Sequence, residues 1–167
     1  MIVSDSTSLI HLSKIGKLSL LKGVFRKVVI PESVFEETVV QGKRLKKADA
    51  GAIESATQDW ILIKRLDKKQ REEGEKLLKI ANIGRGEAQA IILARDSNQG
   101  LVIDDSLAQK VAETCGIETY WTTSVVLKAV SEKILTKKQA KGVLEDLVRA
   151  GYRLKPEVLL LLIEKLK

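Results

Sequence analysis

Five short apolar runs, each opening straight into a helical pattern, limit this chain to a small set of folds. They stand at residues 1–3, Lys27–Ile30, Trp60–Ile63, Leu101–Ile103 and Ile117–Trp121. Between them apolar residues recur at helical spacing, as in Leu9, Leu12, Leu20 and Leu21, or Ala108, Val111 and Ala112. Strands alternating with helices favour a parallel sheet with helices on both of its faces. The spacing therefore predicts an α/β, three-layer fold, a short parallel sheet flanked by helices and joined by right-handed crossovers. Two prolines and 4% aromatic residues suit this helix-rich reading better than a small all-β protein.

The runs end in chemistry. Asp5 follows the first with Ser6 and Thr7, Glu36 and Glu37 follow Pro31, and Asp104 and Asp105 follow Ile103. Glu87 opens a helix after the turn Gly84-Arg85-Gly86. Taken singly, each acid has an ordinary explanation as an N-cap or a first-turn residue that complements the helix dipole. Together they fall along one edge, because ligands of open α/β sheets gather outside the carboxyl ends of the strands. Glu36 and Glu37 point about 100° apart on a helix, so at most one is expected to face a shared cleft.

Clustered carboxylates repel one another and call for a divalent cation. Oxygen-only ligands suit Mg²⁺ or Mn²⁺. A metal so held activates water and offsets charge on a phosphoryl group. The net charge of +7 adds an expected anionic partner, nucleic acid first among them, and the combination points to phosphodiester hydrolysis.

Other chemistries lack their residues. No GxxxxGK[ST] loop is present, and Gly84-x-Gly86 lacks the rest of a dinucleotide fingerprint. An aspartyl phosphatase would need a second aspartate within Ser4–Ser8. His11 is the single histidine, which removes His-rich zinc sites; it is expected to be a packing or surface residue. Cys115 is the single cysteine, which excludes an intrachain disulfide; it is expected to be a small buried residue of the helix before Gly116. Thr122, Thr123 and Ser124 are expected N-caps of the next helix.

Residues 1–133 form the expected catalytic unit. Residues 134–167 read as a helical pair broken at Gly151–Pro156, packed on the domain or on a partner through Leu144, Leu147, Leu159 and Leu162. The apolar run Val158–Ile163 is too short to span a bilayer and no signal-peptide pattern opens the chain, so no membrane association and a cytoplasmic setting are expected.

Four segments in this order, IVSDSTSLI at 2–10, VVIPESVFEET at 28–38, GRGEAQAIILA at 84–94 and LVIDDSLAQKVAETCGI at 101–117, resemble PIN-domain proteins, specifically the branch close to VapC-type toxin nucleases with an extended helical C-terminus. The resemblance implies a metal-dependent ribonuclease whose acidic centre is Asp5, Glu37, Glu87 and Asp104, with Asp5, Glu87 and Asp104 holding Mg²⁺ or Mn²⁺. Asp105, Ser6 and Thr7 are its implied assisting residues, and the asparagine that usually follows the first Asp-Thr of the family is absent, Asp5 being followed by Ser6, Thr7 and Ser8. It further implies an RNA substrate, and leaves open an antitoxin protein and a homodimer as partners. The competing expectation is an interaction or nucleic-acid-binding module of the same fold without activity.

Overall fold

The computed structural model describes residues 1–166. Strand β1 (Ile2–Ser4) leads into helices α1 (Ser6–Lys14) and α2 (Ser19–Phe25), and β2 (Val28–Pro31) into α3 (Glu32–Phe35). A π-helical turn over Glu36–Gln41 carries α3 into α4 (Gly42–Arg44), followed by α5 (Asp49–Thr57) and β3 (Ile61–Lys64). Helices α6 (Lys68–Ala81) and α7 (Arg85–Ser97) precede β4 (Leu101–Val102), then α8 (Ser106–Thr114), β5 (Thr119–Tyr120) and α9 (Thr122–Ser131). The chain closes with α10 (Lys137–Arg149) and α11 (Pro156–Glu164).

All strand pairs are parallel, in the order β3-β2-β1-β4-β5. The five apolar runs thus become the five strands of the expected α/β sheet. Their side chains alternate between two cores, as the period of two requires. Ile2, Val28, Ile30 and Val102 pack beneath α1, α2, α5, α9 and α10. Val3, Val29, Leu101 and Ile103 pack beneath α7 and α8. The tail belongs to the first of these cores, where Ala140, Val143, Leu144 and Leu147 of α10 are buried. Full burial of such a leucine contributes about 2 kcal/mol, which fixes α10 on the sheet's own helices.

The sheet order reverses direction at β1, because the chain grows outward through β2 and β3 and then returns to add β4 on the other side. Such a switch point leaves a crevice at the carboxyl ends of the two central strands. The register Ser4↔Val102 brings Asp5 and Asp104 to that edge.

Two local expectations fail. Cys115 is exposed rather than buried: it is the C-cap of α8, one residue past the helix end, while Ala108 and Ala112 form the buried side. Thr122 does not cap α9 with its hydroxyl, since the cap position is Trp121 and the hydroxyl is used elsewhere.

Candidate active site

Asp5 is the deepest acid. It is wholly buried and caps α1, its Oδ1 accepting the Ser8 N–H at 3.0 Å and the Ser8 hydroxyl at 2.7 Å. Its Oδ2 is buried with no hydrogen-bond partner. Burial, then the Asp104 charge, pushes its pKa up to about 7, the Ser8 hydrogen bonds opposing and Glu87 adding to the rise. A carboxylate oxygen left bare beside other carboxylates marks a place where positive charge would be strongly favoured.

Asp104 is held differently. Its Oδ1 accepts the Thr122 N–H at 2.8 Å and the Tyr152 hydroxyl at 2.7 Å, and its Oδ2 accepts the Thr122 hydroxyl at 2.6 Å. The Ser8 hydroxyl lies 3.1 Å from Oδ2, but it has one proton and the shorter path is to Asp5. Asp104 therefore serves the free N-terminal amide of α9 from another element, as a carboxylate at a helix N-terminus can. Its neighbour Asp105 turns away to cap α8, accepting the Leu107 N–H at 2.9 Å and the Ala108 N–H at 2.8 Å through one oxygen. The structure thus separates the adjacent pair, Asp104 facing Asp5 and Asp105 serving its own helix.

The remaining acids line an open cleft of about 330 Å³ together with Ser6, Thr7, Ser33, Gln41 and Arg85. Glu37 accepts the Ser6 hydroxyl at 2.9 Å. Both Glu36 and Glu37 line this cleft, against the expectation that at most one faces it, and of the two Glu37 is the one whose carboxylate is tied to Ser6. Glu87 folds back on its helix start, accepting the Gly84 N–H at 2.8 Å. Burial, against the Gly84 hydrogen bond and with help from Asp105 and Glu37, raises its pKa above the usual carboxylate range. Gly86 makes this packing possible. A Cβ there would stand 3.2 Å from Glu37 Oε2 and 3.3 Å from Val34 Cγ2.

The acids accordingly meet as Asp5 beside Asp104, linked through Ser8, with Glu37 and Glu87 at the neighbouring cleft wall. Among the described residues no three Asp, Glu, His or Cys side chains stand together as a ready metal cage. The donor set still fits Mg²⁺ or Mn²⁺, which need only one or two carboxylates and otherwise keep their waters. The unpartnered Asp5 Oδ2 and the Oδ2 of Asp104 are the oxygens available for it.

Sequence reasoning missed Tyr152, Ser33 and Arg85. Tyr152 lies 48 positions beyond Asp104 in a loop between tail helices, with only its aromatic character in a polar stretch to signal it. His11, expected as a packing residue, stacks edge-on against that tyrosine at 5.1 Å, and burial lowers its pKa.

A family model described as a PIN domain matches residues 1–167, the full chain. The chain belongs to the PIN-domain family. No curated protein and no solved structure gave a significant match. PIN domains are generally nucleases and typically use divalent metals, and in this PIN domain the acids stand at the switch point of the sheet.

Proposed function

We propose that this PIN-domain protein is a Mg²⁺- or Mn²⁺-dependent endoribonuclease, hydrolysing RNA phosphodiesters at the centre formed by Asp5, Glu37, Glu87 and Asp104. The observation that carries the reading is the wholly buried Asp5 carboxylate, whose Oδ2 has no partner and whose neighbours in the electrostatic field are further acids. Asp5 and Asp104 would hold the cation, with Glu87 able to join by leaving its bond to Gly84. A divalent cation held there would polarise a water toward hydroxide and offset charge on the phosphoryl group.

The chain's own residues supply the rest. Ser8 fixes the Asp5 carboxylate by two donors, and Thr122 grips both oxygens of Asp104. Glu37, oriented by the Ser6 hydroxyl, lies in the cleft where it can accept a proton. Arg85 at the cleft wall provides a cation for a neighbouring phosphate. Thr7 and Ser33 line the same space.

No helix among the described residues is long and apolar enough to cross a membrane. A cytoplasmic toxin of a toxin–antitoxin pair, working as a homodimer with an antitoxin protein, extends the reading. Exposed Val158, Leu160 and Leu161 on α11 support it as apolar surface for a partner, and sedimentation of the full chain tests the dimer.

A second reading, an RNA-binding module without activity, is favoured by the three donors already engaging Asp104. Cleavage of a structured RNA pool with added Mn²⁺ decides between them. The nuclease reading expects metal-dependent products that Asp5→Asn and Glu87→Gln each reduce at least a hundredfold, within the usual range for loss of charge stabilisation. RNA binding with no cleavage at any metal concentration would establish the second reading.

A further inference from the structure

Among the described residues, Tyr152 joins the tail to the acidic centre by a side-chain hydrogen bond. Tyr152 stands in the loop between α10 and α11, buried to 7% exposure, and donates its hydroxyl to Asp104 Oδ1 at 2.7 Å. Its ring packs edge-on against His11 of α1, the helix that Asp5 caps. Its backbone N–H is tied to Leu147 O at 2.9 Å, so its position follows that of α10. One residue of the tail thus touches Asp104 directly and contacts the helix that carries Asp5.

The consequence lies in which oxygen Asp104 presents. With the Thr122 N–H and the Tyr152 hydroxyl both on Oδ1, that oxygen has its two acceptor directions filled. Oδ2 keeps the Thr122 hydroxyl at 2.6 Å, and its other side faces the Ser8 hydroxyl at 3.1 Å, the longest contact of this carboxylate and so the one a cation displaces most easily. The clamp therefore fixes the plane of the carboxylate and offers a cation one oxygen on the side of Asp5. Without Tyr152, Thr122 alone would leave Oδ1 with a spare acceptor direction and the side chain freer to turn.

We infer that Tyr152 is a positioning residue for the acidic centre, orienting Asp104 toward a divalent cation and coupling the seating of the C-terminal helices to cation binding. This rests on the reading of Asp5 and Asp104 as cation ligands. Partners that orient a metal ligand through its second oxygen or nitrogen typically change metal affinity by 10–100-fold when removed.

The test is Mn²⁺ titration of the full chain by calorimetry, comparing wild type with Tyr152→Phe, and with Tyr120→Phe as control. Tyr120 donates its hydroxyl to Glu118 at 2.6 Å, which is not one of the acids of the centre. Hydrogen exchange of wild type with and without Mn²⁺ reads the coupling without any substitution. The expected result is a Mn²⁺ affinity about tenfold weaker in Tyr152→Phe and unchanged in Tyr120→Phe, with Mn²⁺ slowing amide exchange over residues 150–155 in the wild type. Equal affinity in wild type and Tyr152→Phe, with exchange over 150–155 indifferent to Mn²⁺, overturns the positioning role while leaving the cation site standing. A wild type that binds no Mn²⁺ overturns the cation site, and the positioning role with it.

Discussion

Asp5 makes the metal-free protein sensitive to pH in an uncommon direction. Its carboxyl is held near 7, against an ordinary value of 3.8, chiefly by burial and then by Asp104. Between those two values the folded chain keeps a proton that the unfolded chain gives up. Stability therefore falls as pH rises through that window, by a few kcal/mol at about 1.4 kcal/mol per unit, and stays lower above it. Asp5→Asn removes the titration, keeps an oxygen to accept from Ser8 and places an amide where the bare Oδ2 stands. Urea unfolding in a chelator should find Asp5→Asn more stable than wild type at pH 8, with the difference vanishing toward pH 4. A difference that does not change with pH would refute the assignment. The same acids were legible in the sequence because each follows a strand or opens a helix. Tyr152 and Thr122 were not legible as partners of Asp104, since contacts across 48 and 18 positions leave no local pattern.

At the scale of elements, the meeting of α3 and α7 decides the shape of the cleft. Gly86 lies in the first turn of α7, under the Glu37 carboxylate and Val34. In an open helix position alanine would be favoured over glycine by about 1 kcal/mol. Here the added Cβ meets Glu37 at 3.2 Å and the fully buried Val34 at 3.3 Å, so the gain is offset and the mobile Glu37 end moves first. Gly86→Ala should leave thermal stability within about 1 kcal/mol of wild type while lowering RNA cleavage at least tenfold. Cleavage at the wild-type rate would show that the Ser6–Glu37 geometry is not needed. The strands and long helices were readable because their apolar periods differ and because Gly84 and Asp105 mark helix starts. The π-helical turn at Glu36–Gln41 was not, because a shift of phase inside a helix has no residue signature of its own.

For the whole molecule, the net charge of +7 coexists with a centre made of acids, so the positive charge must act around the site rather than in it. One flank suits that role. A shallow groove lined by Lys68, Arg71, Lys76 and Arg85, with Glu72 and Glu75 among them, runs from α6 to the start of α7, and Arg85 also lines the acidic cleft. Arg85 is paired with Glu75 at 3.1 Å, but both side chains are largely exposed, and such a pair contributes little and is easily exchanged for a phosphate. A strand of RNA following this groove would bring a phosphodiester to Glu37 and Glu87 while its neighbouring phosphates meet the cations. Binding then releases counterions, and the affinity should fall with salt at about 0.7 in log–log slope for each phosphate neutralised on a single strand. Measured by fluorescence anisotropy with the Asp5→Asn protein, so that RNA stays intact, Arg85→Ala should weaken binding and make the slope shallower by about 0.7. An unchanged slope would move the RNA path off this groove, and the phosphates would then have to be neutralised on another face of the molecule.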